Sequence, residues 1–142
     1  MRLTSFTDFA LRALMRLAGE PGRTFATNEI AAEFGISRNH LAKVVRDLAD
    51  SGFINTQRGV GGGFALARPA GSITIGEVVR ALEGPALVEC FREDGGSCLL
   101  MPRCRLKAKL AAAREAFMSE LDATTLAECA YPVPTRKSPA PA

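Results

Sequence analysis

Tryptophan is absent from this chain, and tyrosine and histidine each occur once. A single histidine excludes any site needing two imidazoles, the H-E-x-x-H zinc enzymes included. Cysteine is scarce as well: four in 142 residues are too few for a disulfide scaffold. No run approaches the roughly 20 apolar residues of a membrane span. The N-terminus breaks into Thr4, Ser5, Thr7 and Asp8 where a signal peptide would stay apolar. The expectation is a cytoplasmic, reducing setting with no membrane partner. There, grouped cysteines serve as metal ligands or redox groups rather than structural disulfides.

What is present fits a globular chain, with 47% hydrophobic and 23% charged residues. The length suits one domain, or a domain with an appendage. The formal net charge is +3. Residues 1–68 hold nine Lys and Arg against six acids, while the remainder is balanced at nine of each sign. The whole excess therefore sits in the N-terminal half, which suits a polyanionic partner.

Apolar residues at three- and four-residue spacing predict a first helix from Phe6 to Leu17, with Thr4, Ser5 or Thr7 as its cap. A second helix is predicted from Asn28 to Phe34, capped by Thr27 and stopped by Gly35. A third begins after Ser37 and ends before Gly52, with Leu41, Val44, Val45 and Leu48 as its apolar stripe. The period then changes. Phe53–Arg58 and Phe64–Arg68 read as strands around the Gly59–Gly63 tip. Thr74 or Ser72 caps a fourth helix ending at Gly84-Pro85. Residues 103–121 read as a long helix with Leu106, Leu110, Ala113, Phe117 and Leu121 on one stripe, which suits packing against another helix.

A helix, a short glycine turn, a capped helix and a two-stranded hairpin, in that order, make a winged helix-turn-helix. The expected fold is mainly α. Residues 1–84 form the DNA-binding domain and 85–104 a cysteine loop. Residues 103–131 form a dimerisation helix with its extension, and 132–142 a disordered tail. On the third helix, Ser37, Arg38, Asn39, His40, Lys43 and Arg46 are the candidate DNA contacts. Asn39 can bridge adenine N6 and N7, and Arg38 can fork onto guanine O6 and N7. Arg58 with Gly61 and Gly62 would bring the wing close to the sugar-phosphate backbone or the minor groove. The bland reading of the third helix alone is a solvated polar face, but the turn, cap and wing favour DNA. The glycine run is no phosphate loop, since it lacks G-x-x-x-x-G-K-[ST] and leads into a strand.

Cys90, Cys98 and Cys104 form Cys-x7-Cys-x5-Cys, and Cys129 lies 25 residues further on. Tight zinc pairs and redox C-x-x-C are both missing. Three thiolates in a loose Gly95-Gly96 loop can wrap an iron–sulfur cluster and leave one place for another donor. Unligated thiols or an oxidised pair remain open from spacing alone.

Three stretches together point to a family. Met1 to Arg12 (Met-Arg-Leu-Thr-Ser-Phe-Thr-Asp-Phe-Ala-Leu-Arg), the Gly61-Gly62-Gly63-Phe64 wing and the three-cysteine loop resemble the winged-helix iron–sulfur regulators that include IscR and NsrR. The resemblance spans about residues 1–130 and implies a homodimeric bacterial transcription factor joined through the long helix. Cys104-Arg105-Leu106-Lys107 and Phe117…Leu121-Asp122…Thr125-Leu126 are most similar to the NsrR-like, nitric-oxide-sensing members. IscR-like members carry a histidine ligand where this chain has Lys107. A redox-sensing variant pairs an acid with a histidine in the first helix, where this chain has Asp8 but Arg12. The NsrR-like resemblance implies a 4Fe–4S rather than a 2Fe–2S cluster held by Cys90, Cys98, Cys104 and, from the partner's first helix, Asp8.

The expectation is thus a non-enzymatic repressor of a double-stranded operator, with nitric oxide as its signal. A related regulator sensing iron, oxygen or redox state is the alternative. An electron carrier or enzyme is disfavoured: the chain has no catalytic acid–base pair and no nucleotide motif, and such a role leaves the basic winged helix unexplained.

Overall fold

Each helix begins where a side chain meets its orphan amides, or where the chain can do without one. In this computed structural model, which describes residues 2–84 and 86–132, α1 spans Ser5–Ala18, and Thr4 accepts from the Thr7 amide at 3.3 Å. α2 (Thr27–Phe34) differs from expectation. Thr27 is its first helical residue, and Ala26 stands at the cap with no side-chain acceptor to offer. Gly35, at φ +64°, ends it. Ser37 caps α3 (Arg38–Asp50) by accepting from His40 N at 3.2 Å. α4 (Ile75–Leu82) carries a full capping box between Thr74 and Glu77, which settles the choice between Thr74 and Ser72. The long helix α5 is Arg105–Asp122, two residues later than expected, with Cys104 at its cap.

The strands are shorter than the hydrophobic pattern suggested. β1 is Ile54–Gln57 and β2 Gly63–Leu66, antiparallel, with Ile54 opposite Leu66 and Gln57 opposite Gly63. Phe53 falls outside because its amide returns to the Leu48 carbonyl at 3.0 Å. A third segment joins the wing instead. Phe25 and Phe64 exchange backbone hydrogen bonds of 2.8 Å in each direction, anchoring the hairpin root to the helices.

One apolar core results. It gathers Leu14 and Leu17 of α1, Ile30 of α2, the Leu41, Val44 and Leu48 stripe of α3, Phe25, Phe64, and Val78 of α4. α5 joins through its C-terminal half. A Cβ on Gly76 would lie 1.9 Å from an Asp122 carboxylate oxygen, so α4 and α5 cross closely there. Arg80 clasps that carboxylate with two bonds of 2.5 Å and holds it below its usual pKa. Main-chain bonds from Ile75 to Thr124 and from Leu126 to Ile73 complete the seam.

The apolar stripe of α5 is therefore divided. Phe117 and Leu121, expected to meet a partner helix, pack on this chain's own core beside buried Met118. Leu106 and Ala113 stay exposed, and Leu110 is half-buried. Of the expected disordered tail, 132–142, residues 133–142 lie outside the described residues.

Candidate functional site

Burial of its apolar stripe against α1 and α2 fixes which face α3 turns outward. Arg38, Asn39, Lys43 and Arg46 are exposed there, and Arg58 is exposed at the wing. Pairing elsewhere sharpens this pattern. Arg12 meets Asp8 at 2.7 Å, and Arg16 meets Glu33 at 2.8 Å and Glu20 at 2.6 Å. Arg23 meets Glu20 at 2.8 Å and also Glu29, while Arg68 meets Glu77 at 3.0 Å. The acids of α1 and α2 are thus spent on arginines away from α3. Among the described residues, Arg38, Lys43, Arg46 and Arg58 have no carboxylate partner. Four free cations on one helix face and the adjoining wing suit phosphate contacts.

His40 is half-buried, unlike its exposed neighbours Arg38 and Asn39. Its ring sits edge-on to Phe9 at 5.1 Å and tilted to Phe6 at 6.2 Å. The imidazole braces α3 against α1 and is turned toward the protein, because two aromatic rings of α1 occupy that side. Ser37 is exposed but its hydroxyl is engaged as the cap. Gly61 and Gly62 lie in the wing turn as expected.

The cysteine loop has an internal clasp that residue spacing did not signal. Glu89 accepts from the amide and hydroxyl of Ser97, both at 3.0 Å. Those bonds, the amide first, hold the Glu89 carboxyl below its usual range against the pull of burial. Cys90 sits in the short turn Glu89–Phe91, next to the clasp. Cys90, Cys98 and Cys104 are all free thiols and all half-buried. Cys90 and Phe91 border a cavity of about 250 Å³ whose other wall is one face of α5: Lys107, Ala111, Arg114 and Glu115. Arg114 also walls a second cavity, of about 130 Å³, shared with Arg2, Leu3, Glu83 and Phe117. Arg114 thus borders both the cavity beside the cysteine loop and the one beside Arg2 and Leu3.

Within a single chain the expected donors do not converge. Among the described residues, no three His, Cys, Asp or Glu side chains group closely enough to hold a metal ion. Asp8 lies in the first turn of α1 and is ion-paired with Arg12. Cys129, expected to stand apart from the other three, lies in the turn Ala127–Cys129 and packs against the core.

Sequence reasoning missed Arg16. It is 2% exposed, held by Glu33 and Glu20, with its guanidinium 4.8 Å from the Phe25 ring centre. Its position among Ala13, Leu14 and Leu17, on the inward face of α1, was the available signal.

A helix-turn-helix with a free cationic face, followed by an anchored two-stranded wing, defines a winged-helix DNA-binding regulator. The chain belongs to the Rrf2 family: the family model, described as an iron-dependent transcriptional regulator, matches residues 3–131. Solved structures agree. The chain is similar to CymR, the global cysteine regulator of B. subtilis, at 26% identity and TM-score 0.75, covering 92% of this chain and 96% of that one. It is similar to the oxidised form of Staphylococcus aureus CymR at 29% identity and TM-score 0.74, covering 95% and 100%. Its fold also matches T. potens IscR at 23% identity and TM-score 0.72, covering 90% and 85%. The protein is a transcription regulator and not an enzyme. No helix among the described residues is long and apolar enough to cross a membrane.

Proposed function

We propose that this regulator is a homodimeric repressor whose operator binding is controlled by an iron–sulfur cluster that reacts with nitric oxide. The observation that carries the reading is the placement of three free, half-buried thiols in one loop, between the winged helix and α5, with Cys104 at the α5 cap. That donor set suits iron in kind: soft thiolates, half-buried, in a chain stretch long enough to wrap a cluster once the three draw together. Cys90, Cys98 and Cys104 would supply the thiolates. Asp8 from the second subunit would supply the fourth donor of a 4Fe–4S cluster, so the site completes only in the dimer. When bound, such a cluster would supply iron able to react with nitric oxide.

The chain's own residues carry the consequence. Asp8 rides on α1, which packs directly on α3. A bond from Asp8 across the dimer would tie one subunit's α1, and through it α3, to the other subunit's cysteine loop, and its loss would free the two halves to shift. In the free chain Arg12 holds Asp8, so an alternative partner is ready when that bond is lost. The exposed residues Leu99, Leu100 and Leu106 beside the start of α5 are apolar surface that a second copy would cover.

Likeness to CymR, known as a cysteine regulator and solved in an oxidised form, favours one second reading: the thiols themselves respond to redox state. Anaerobic absorbance with native mass spectrometry separates the two. A coloured dimer carrying iron and sulfide supports the first. A colourless, iron-free dimer from anaerobic, iron-replete cells supports the second.

A further inference from the structure

The wing turn presents one side chain. Gly62 N–H donates to the Gly59 carbonyl at 3.0 Å, closing a turn over Gly59–Gly62. Gly59 and Gly61 take φ of +98° and +76°, which side chains resist. A Cβ on Gly62 would lie 2.5 Å from the Gln57 carbonyl oxygen, and one on Gly63 2.1 Å from that of Phe25. The turn is therefore tight, and its root is clamped by the Phe25–Phe64 pair. Val60 at the apex is fully exposed and outside the apolar core. A β-branched side chain there gains nothing from its own chain.

We infer that Val60 is the wing's minor-groove reader, an apolar contact that selects A·T over G·C pairs. This rests on the DNA-binding reading above. The minor groove is about 6 Å wide. A backbone ridge of glycines is narrow enough to enter such a slot. Unpaired Arg58, two residues before the apex, meets the phosphates and so positions the ridge. Val60 then lies against sugars and base edges. A·T pairs present only acceptors there, while guanine adds its N2 amino group to the groove floor. An isopropyl group cannot accept a hydrogen bond from that amine. It would desolvate the amine without compensation, so G·C pairs under the wing are rejected.

The test uses the full-length dimer and an operator selected from a random duplex pool. Hydroxyl-radical footprinting places the wing, and fluorescence anisotropy follows binding to A·T, G·C and inosine·C versions of those pairs. Inosine lacks the N2 amine. Wild type should bind the A·T and inosine duplexes alike and the G·C duplex about fivefold to tenfold more weakly. Val60→Ser should weaken A·T binding about fivefold, leave the salt dependence unchanged and lose discrimination against G·C. Arg58→Ala should instead flatten the salt slope by about one ion and keep the discrimination. Equal binding of all three duplexes by wild type, or retained discrimination in Val60→Ser, overturns the role of Val60. A wild-type dimer that selects no duplex at all overturns the DNA-binding reading and this inference with it.

Discussion

Thr4 donates both its backbone N–H, at 2.7 Å, and its hydroxyl, at 2.9 Å, to one oxygen of Glu83. The same hydroxyl oxygen accepts from the Thr7 amide and caps α1. One residue thus joins the start of α1 to the end of α4, where the chain enters the cysteine loop. Any shift of that loop has a short path to α1, and from α1 to the recognition helix packed on it.

That junction should report in acid. Burial raises the Glu83 carboxyl pKa, but hydrogen bonds from Thr7 and Thr4 outweigh it and hold the group below its usual range. A depressed folded pKa gives stability that is full above the unfolded value, about 4.3, and is lost as pH falls through the folded one. Urea midpoints from pH 7 to pH 3 should therefore fall more steeply in wild type than in Glu83→Gln. Parallel curves would show that the junction contributes nothing through this charge.

Buried Arg16 gives a second prediction. Arg16→Ala removes an apolar stem, a ring contact with Phe25 and the partner of Glu33, and should cost about 3 kcal/mol in urea unfolding. Arg16→Met refills the space and should cost less than half of that, since Glu33 is partly exposed and can rehydrate. Equal losses in the two variants would mean that charge, not packing, is what Arg16 provides.

On the DNA face, Lys43→Ala and Arg46→Ala should each flatten the plot of log affinity against log salt by about one unit where they meet phosphate. Arg23→Ala serves as the control, because Arg23 is already paired with Glu20 and Glu29. A slope unmoved by both α3 substitutions would place the interface elsewhere.

Much of this was legible in the residues, for reasons that can be named. Ser37 and the Leu41, Val44, Val45 and Leu48 stripe located α3, and the glycine run located the wing, because caps and periodicity are local signals. The departures are tertiary. Nothing local to His40 signals the two α1 rings that lie beside it. The α5 stripe looked uniform, yet α4 and the Thr124–Leu126 return claim Phe117 and Leu121 and bury Met118, which no one-face pattern predicted. Arg16 lies on the inward face of α1, but its partner Glu33 comes from α2, which no local pattern shows. The Glu89–Ser97 clasp and the Thr4–Glu83 junction join residues with no spacing rule between them.

The cysteines should divide three to one. Cys90→Ala, Cys98→Ala and Cys104→Ala should each yield protein with little iron or colour, since each removes a thiolate bond. Cys129→Ala should keep both, because Cys129 packs against the core beyond α5. Iron and sulfide analysis of anaerobically purified variants decides it. A colourless Cys129→Ala protein would make a four-cysteine site the better description.

Asp8→Ala should still assemble a cluster on three thiolates and an exogenous donor, with altered circular dichroism and a changed response to nitric oxide. Spectra and sensitivity equal to wild type would remove Asp8 from the site.

The most direct test of the account is operator binding by the anaerobic, cluster-loaded dimer, followed by anisotropy as nitric oxide is added. The account predicts tight binding that is lost as nitric oxide consumes the cluster absorbance, with the two signals changing together. Full operator affinity after the absorbance has gone would contradict it.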